Sequence, residues 1–194
     1  MAAKKPPVNS GYLVGQFLVA MPAMADPRFE RSVIYLCAHS ADGAMGLIVN
    51  KPLKDIKLPE ILDQLGIEPK TPCDKIHIHR GGPVETARGF VLHSADYHQE
   101  GATLKVNSEI CLSATTEILR AIASGEGPRK SLMALGYAGW GRGQLDEEIK
   151  QNAWLNVPGD DELLFSDNFD QKWERVLAKI GVSPHLLSGV AGHA

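Results

Sequence analysis

The chain reads as an α+β protein: a single domain built on a mixed, curved β-sheet flanked by helices. Three observations predict this. Strand-like and helix-like segments follow one another irregularly, so the βαβ repeat of a doubly wound sheet fails. The N-terminal half is rich in apolar and β-branched runs, and Asp42-Gly43 between two of them is a strong hairpin signal. The length of 194 residues suits one domain. A chain of this size buries about 70% of its unfolded surface, enough for a core without disulfides or metal.

Taken in order, residues 1–12 ("MAAKKPPVNSGY") are expected to form a disordered tail, and 13–194 the domain. "GQFLVAMP" (15–22) is a buried strand ended by Pro22. "ADPRFERS" is a turn. "SVIYLCAHS" and "ADGAMGLIVNKP" form the hairpin around Asp42-Gly43. "LPEILDQLGI" is a short helix, with Pro59 near its start and Gly66 just past its end. "DKIHIHRGGPV" is a strand running into a glycine turn, and "RGFVLHSADY" is another strand. "TLKVNSEICLS" gives two short strands around Asn107-Ser108. Ser113 is positioned to cap the helix "ATTEILRAIASGEGP", which Gly125 ends. "RKSLMALGYAGW" is a strand leading into a glycine loop, and "GQLDEEIKQN" opens a helix with an acidic first turn. "AWLNVP" is a short strand. In "DNFDQKWERVLAKIG", Phe169, Trp173, Val176 and Ile180 share one helical face. The tail "SPHLLSGVAGHA" holds one helical turn at most.

Composition narrows the function. The net charge is −3 and the basic residues are scattered, so no stripe for duplex DNA is visible and direct DNA binding is not expected. The longest apolar run is broken by Gly15, Gln16 and Pro22, so no membrane span is expected. Cys37, Cys73 and Cys111 are odd in number and widely spaced, and two sit in apolar settings. They read as small buried residues in a reducing cytoplasm.

Three glycine-containing turns are the candidate chemistry. "GYAGWGRG" lies between a strand and a helix N-terminus, where backbone N–H groups can approach an anion. It lacks the Lys-Ser/Thr of a P-loop and the GxGxxG spacing. A ligand-binding turn and a tight turn plugged by Trp140 both fit. "HRGGPV" and "IVNKP" are the other two. His77 and His79 alternate with isoleucines, and with His93 they could converge on a metal. No acid stands at a familiar offset, so solvent-facing strand histidines are favoured, and neither metal nor cofactor is expected. Glu147 could serve as a general base. No Ser-His-Asp arrangement stands out and no GxSxG occurs, so no nucleophile is assigned.

The order of "GQFLVAMPAMADPRFERSVIYLCAH", "GAMGLIVNKP", "RGGPVETARGFVLH", "LGYAGWGRGQLDEEIKQNAWL", "LLF" and "KWERVLAKIG" resembles the AlgH/YqgE family of bacterial proteins, from about Gly15 to about Gly181. The resemblance implies a strongly curved, partly barrel-like sheet and a cytosolic protein. One branch of the family carries the label of transcriptional regulator of alginate synthesis. Family signature positions map to Asn50, Pro52, Gly81, Gly82, Pro83, Gly136, Tyr137, Gly139, Trp140, Gly141, Gly143, Gln144, Leu145, Asn152 and Trp154. Arg142 departs from the small residue usual there and is given no essential role.

Signature turns point to the walls of one cleft. Its expected ligand-binding residues are Asn50, Gly81, Gly82, Pro83, Tyr137, Gly139, Trp140, Gly141, Gln144 and Asn152. Tyr137 and Trp140 would be a flat apolar wall, and Asn50, Gln144 and Asn152 neutral hydrogen-bonding groups. In that arrangement Trp140→Ala is expected to be mild, and Val at Gly139 or Gly141 more harmful. A regulatory protein that binds a small molecule or a protein partner is favoured. The alternative is a hydrolase or transferase using the same cleft.

Overall fold

A computed structural model describes residues 12–187; the expected N-terminal tail lies almost wholly outside the described residues. The strands are β1 (Phe17–Ala20), β2 (Val33–Ser40), β3 (Gly43–Ile48), β4 (Ile78–Arg80), β5 (Val84–Ser94), β6 (Thr103–Lys105), β7 (Ile110–Ser113), β8 (Ser131–Trp140) and β9 (Trp154–Val157). The helices are α1 (Leu58–Gln64), α2 (Thr116–Ser124), α3 (Gln144–Lys150), α4 (Asp161–Leu164) and α5 (Phe169–Ala178). One sheet runs in the order β6-β7-β5-β8-β3-β2-β1-β9, with β4 also paired to β8. Among the described residues only the β4–β8 pairing is parallel. The sheet is therefore mixed, as expected, and it curls into a half-barrel.

Apolar alternation explains the layers. Phe17, Val19, Tyr35 and Leu47 face one core, closed by Trp173, Val176 and Leu177 of α5. Leu18, Ile34, Leu36 and Ile48 face the opposite way, toward Leu145 of α3. A third cluster packs Leu58 and Leu62 of α1 and Ile118 and Leu119 of α2 onto Val91 and Met133.

β8 is the organiser, because it pairs with β4 and β5 along its first half and with β3 along its second. The parity of its side chains changes midway. Leu132 and Ala134 face the α5 core, and so does Tyr137, three residues on rather than two. Gly136 makes the change: its φ of +75° puts a bulge in the strand. Here the "RGGP" turn crosses β8. A side chain on Gly81 would overlap the Gly136 carbonyl, and one on Gly82 would overlap the Tyr137 backbone. The paired glycines of the two motifs let two backbones cross in near contact.

Several expectations need correction. β4 is only three residues long, so His77 lies outside it and is exposed, whereas His79 is buried. Ser113 does not cap α2; the N-cap is Thr115, and Ser113 ends β7, buried. On α5, Ile180 falls beyond the helix and is 39% exposed, while Leu177 and the charged Lys172 are buried. The helical turn α4 within "DDELLF" was not anticipated; Asp160 caps it by accepting from the Leu163 N–H at 3.0 Å.

Candidate functional site

The "LGYAGWGRGQLDEEIKQNAWL" motif resolves into a polar cluster. Glu148 on α3 accepts both indole N–H groups on one carboxylate oxygen, from Trp140 at 2.9 Å and from Trp154 at 2.8 Å. Its other oxygen accepts from Gln144 Nε2 at 3.0 Å, and Gln144 Oε1 accepts from the Gly141 N–H at 3.0 Å. The indole rings meet edge to face, centroids 5.9 Å apart. Trp140 is 7% exposed and packs in the α3-facing core. It is a plug rather than an open wall, and Tyr137 packs against the other core.

The remaining expected residues also hold the frame. Asn50 accepts from the Val33 N–H at 2.9 Å and donates to the Arg31 carbonyl at 2.8 Å, tying β3 to the loop before β2. Asn152, at φ +58°, ends the α3 turn in the left-handed region that asparagine tolerates. Gly139 and Gly141 are exposed, with ordinary φ and no neighbouring backbone in the way of a side chain. The expected residues do not share one depression. Tyr137, Gly139 and Trp140 border an open one beside β3 and β5. Gly82 and Pro83 border another, of about 560 Å³.

That second depression is part of something larger. It shares Ile56 and Leu135 with a neighbouring cavity of about 580 Å³ that lies between α1, α2 and the sheet. The two cavities adjoin at these residues, and this pair is the groove. Leu53, Ile61, Val91, Leu119 and Met133 give it apolar walls. Arg28 and Arg80 line the cavity of Gly82 and Pro83, and Asp55 and Glu60 line the other. Arg28 already holds Asp26 at 2.7 Å, while Arg80 has no ion-pair partner among the described residues. Beside them Lys51 donates to the Arg28 carbonyl, and burial lowers its pKa against the pull of Glu30.

A second polar cluster lies under the α1–α2 end. His93 Nδ1 meets the Ser94 carbonyl at 2.9 Å, and His93 Nε2 meets Ser113 Oγ at 2.8 Å. Ser113 Oγ also meets Thr103 Oγ1 at 3.1 Å, and Thr103 Oγ1 accepts from the Gln99 N–H at 3.0 Å. Ser113 lines the cavity with the two residues that lead into α2. Neither His93 nor Ser113 was expected here; a polar residue on each otherwise apolar strand, "FVLHS" and "ICLS", was the available sign.

His79 and His93 do not converge, and no group of three metal-ligating side chains occurs among the described residues. His79 packs edge-on against Phe169 and holds the Met133 carbonyl at 3.3 Å, leaving Nε2 without a partner. Burial pushes its pKa down to about 4. Nearby Lys172, 1% exposed, donates to the Val49 and Leu164 carbonyls, and burial pulls its pKa down to about 8. The three cysteines are free and buried, and burial raises the Cys37 thiol to about 12. Among the described residues no helix is long and apolar enough to cross a membrane.

Known proteins share this architecture throughout. The AlgH-like family model matches residues 17–185. The chain belongs to the AlgH-like family. A UPF0301 protein of Bradyrhizobium diazoefficiens is 55% identical over 196 residues, covering 97% of this chain and 92% of the relative. One from Rhodospirillum rubrum is 55% identical over 186 residues, 96% of each chain. The solution structure of the AlgH protein from Pseudomonas aeruginosa matches with a TM-score of 0.78 at 44% identity, covering all of both chains. A Corynebacterium diphtheriae protein shares the AlgH-like fold at a TM-score of 0.70 and 20% identity, covering 97% of this chain and 94% of its own.

Proposed function

We propose that this AlgH-like protein binds a small amphipathic carboxylate in the groove between α1, α2 and the sheet, and that any regulatory role acts through this ligand. The observation that carries the reading is that two apolar-walled cavities adjoin, with Ile56 and Leu135 lining both. Each has a volume usual for a ligand pocket. An apolar trough with arginines at one end suits a chain with an anionic head, because a guanidinium pairs with a carboxylate through two parallel N–H groups. Asp55 and Glu60 of the other cavity would repel the head, which favours the arginine side. Of the residues that the sequence singled out, Gly82 and Pro83 belong to this site. Duplex DNA is a poor partner for a chain of net charge −3. Three free, buried thiols suit a reducing cytoplasm.

Decanoate titrated into the protein and followed by calorimetry tests the reading. One binding site is expected, lost in Leu135→Trp, which fills the junction of the cavities, and weakened about tenfold in Arg80→Gln, in keeping with one charge-assisted hydrogen bond. Unchanged binding in Leu135→Trp would place the ligand elsewhere.

A further inference from the structure

We infer that Ser113 is a nucleophile and His93 its general base, and that the groove cleaves a carboxylic ester of a medium-length apolar chain. The inference rests on the reading of the groove as a ligand site and assigns it a reaction.

The direction of every proton in the cluster follows from the partners. The Ser94 carbonyl can only accept, so the neutral His93 ring carries its proton on Nδ1, and Nε2 is a bare lone pair. Ser113 Oγ, 2.8 Å away, must then donate to it. Its hydroxyl proton being used, Ser113 accepts from Thr103, which in turn accepts from the Gln99 N–H. The backbone at each end thus fixes a one-way chain that points the Ser113 proton at a base. That is the relation of nucleophile, base and orienting group that acyl transfer needs, with a carbonyl as orienter.

The surroundings fit. Ser113 is 2% exposed and lines the cavity of about 580 Å³, so a substrate meets it only from the groove. The chain passes from β7 to α2 within two residues, and Thr115, the N-cap, makes no side-chain capping bond. Its buried Oγ1 has no partner, and Thr115 lines the same cavity. That hydroxyl and the free N–H groups of the first helical turn are donors available to an oxyanion.

In the reaction Ser113 Oγ attacks the ester carbonyl as its proton passes to His93 Nε2. The carbon–oxygen bond to the leaving alcohol breaks, and the alcohol takes the proton from Nε2. Water then attacks the acyl-serine, giving its proton to Nε2, and the released Ser113 Oγ takes it back, yielding the free acid. The product is the kind of carboxylate that the groove is proposed to bind. Thr103 is a positioning residue.

An alkyl fluorophosphonate tests the assignment. Ser113 Oγ displaces fluoride and forms a phosphorus–oxygen bond, readable as one mass increment per chain. The expected result is a single adduct mapped to the peptide containing Ser113, absent in Ser113→Ala and at least about 100-fold slower in His93→Gln, which keeps an acceptor but no basic nitrogen. On the unsubstituted protein the labelling rate should fall on acidification with a midpoint below 6.5, because burial lowers the His93 pKa. Asp96 opposes and His98 assists that shift, and Tyr97 and Cys111 are the other titratable groups beside the ring. An absent adduct, one on another residue, or a labelling rate that rises on acidification would overturn the assignment. Decanoate binding in the same samples separates the two readings: retained binding with no adduct leaves a binder without this chemistry, and lost binding with Ser113 labelled leaves the nucleophile without the carboxylate site.

Discussion

The Trp140–Glu148–Trp154 cluster and the His93–Ser113 cluster are both hydrogen-bonded networks flanking the same sheet, yet they differ in what lies beside them. In the first, one carboxylate takes three N–H donors and two large rings close over it. Every polar group there is used inside the frame. In the second, Thr103, Ser113 and His93 are linked by hydrogen bonds, and Ser113 borders open space. The rarest residues of the sequence therefore build the scaffold, and ordinary ones stand where a ligand can reach. A glycine or tryptophan that only one geometry tolerates marks a position difficult to replace, which is a different property from reactivity.

Breaking the tryptophan side should cost the most stability. Trp140→Ala removes a buried indole and leaves Glu148 with one donor fewer, so a loss of about 3–5 kcal/mol is expected in chemical denaturation. Decanoate binding by the fraction still folded should be unchanged. A loss under about 1 kcal/mol would show that the ring is an open wall after all.

Acid should strike at His79, outside both clusters. His79 is held neutral, its pKa lowered to about 4 against an unfolded value near 6.5. The unfolded chain then binds the proton more readily, so the contribution is complete above pH 6.5 and is lost as pH falls toward 4. The loss should reach up to about 3 kcal/mol. Denaturation followed from pH 7 to 4 should show this slope, and His79→Gln should flatten it.

The smallest effect is expected inside the glycine loop itself. A side chain at Gly141 would meet nothing nearer than Gln144 Oε1 at 3.9 Å. Gly141→Ala should therefore shift stability by less than about 0.5 kcal/mol. This reverses the ranking that the sequence suggests, in which the loop glycines matter more than the tryptophan.

Much of the fold was legible because it is written in local patterns. The Asp42-Gly43 hairpin and the glycine ends of α1 and α2 appear where turn chemistry puts them; the strand β8, however, continues through "GYAGW", so only Gly141 to Gly143 remain as the loop before α3. The site was less legible, for reasons of register. The bulge at Gly136 inverts side-chain parity, so Tyr137 and Trp140 part company although the strand is continuous. Glu148 reads as one more solvated acid until two tryptophans close on it. His93 and Ser113 lie on different strands, and only the pairing of β5 with β7 brings them to one face. Lys172 looks exposed by type, yet its ammonium replaces a missing partner for two buried carbonyls.

The central claim is that ligands enter the groove and leave the glycine–tryptophan loop untouched. Amide chemical shifts recorded during a decanoate titration test it most directly. The account predicts saturable shifts at Ile61, Gly82, Val91, Leu119 and Leu135, with residues 139–144 still; shifts confined to 139–144, with the groove silent, would contradict it.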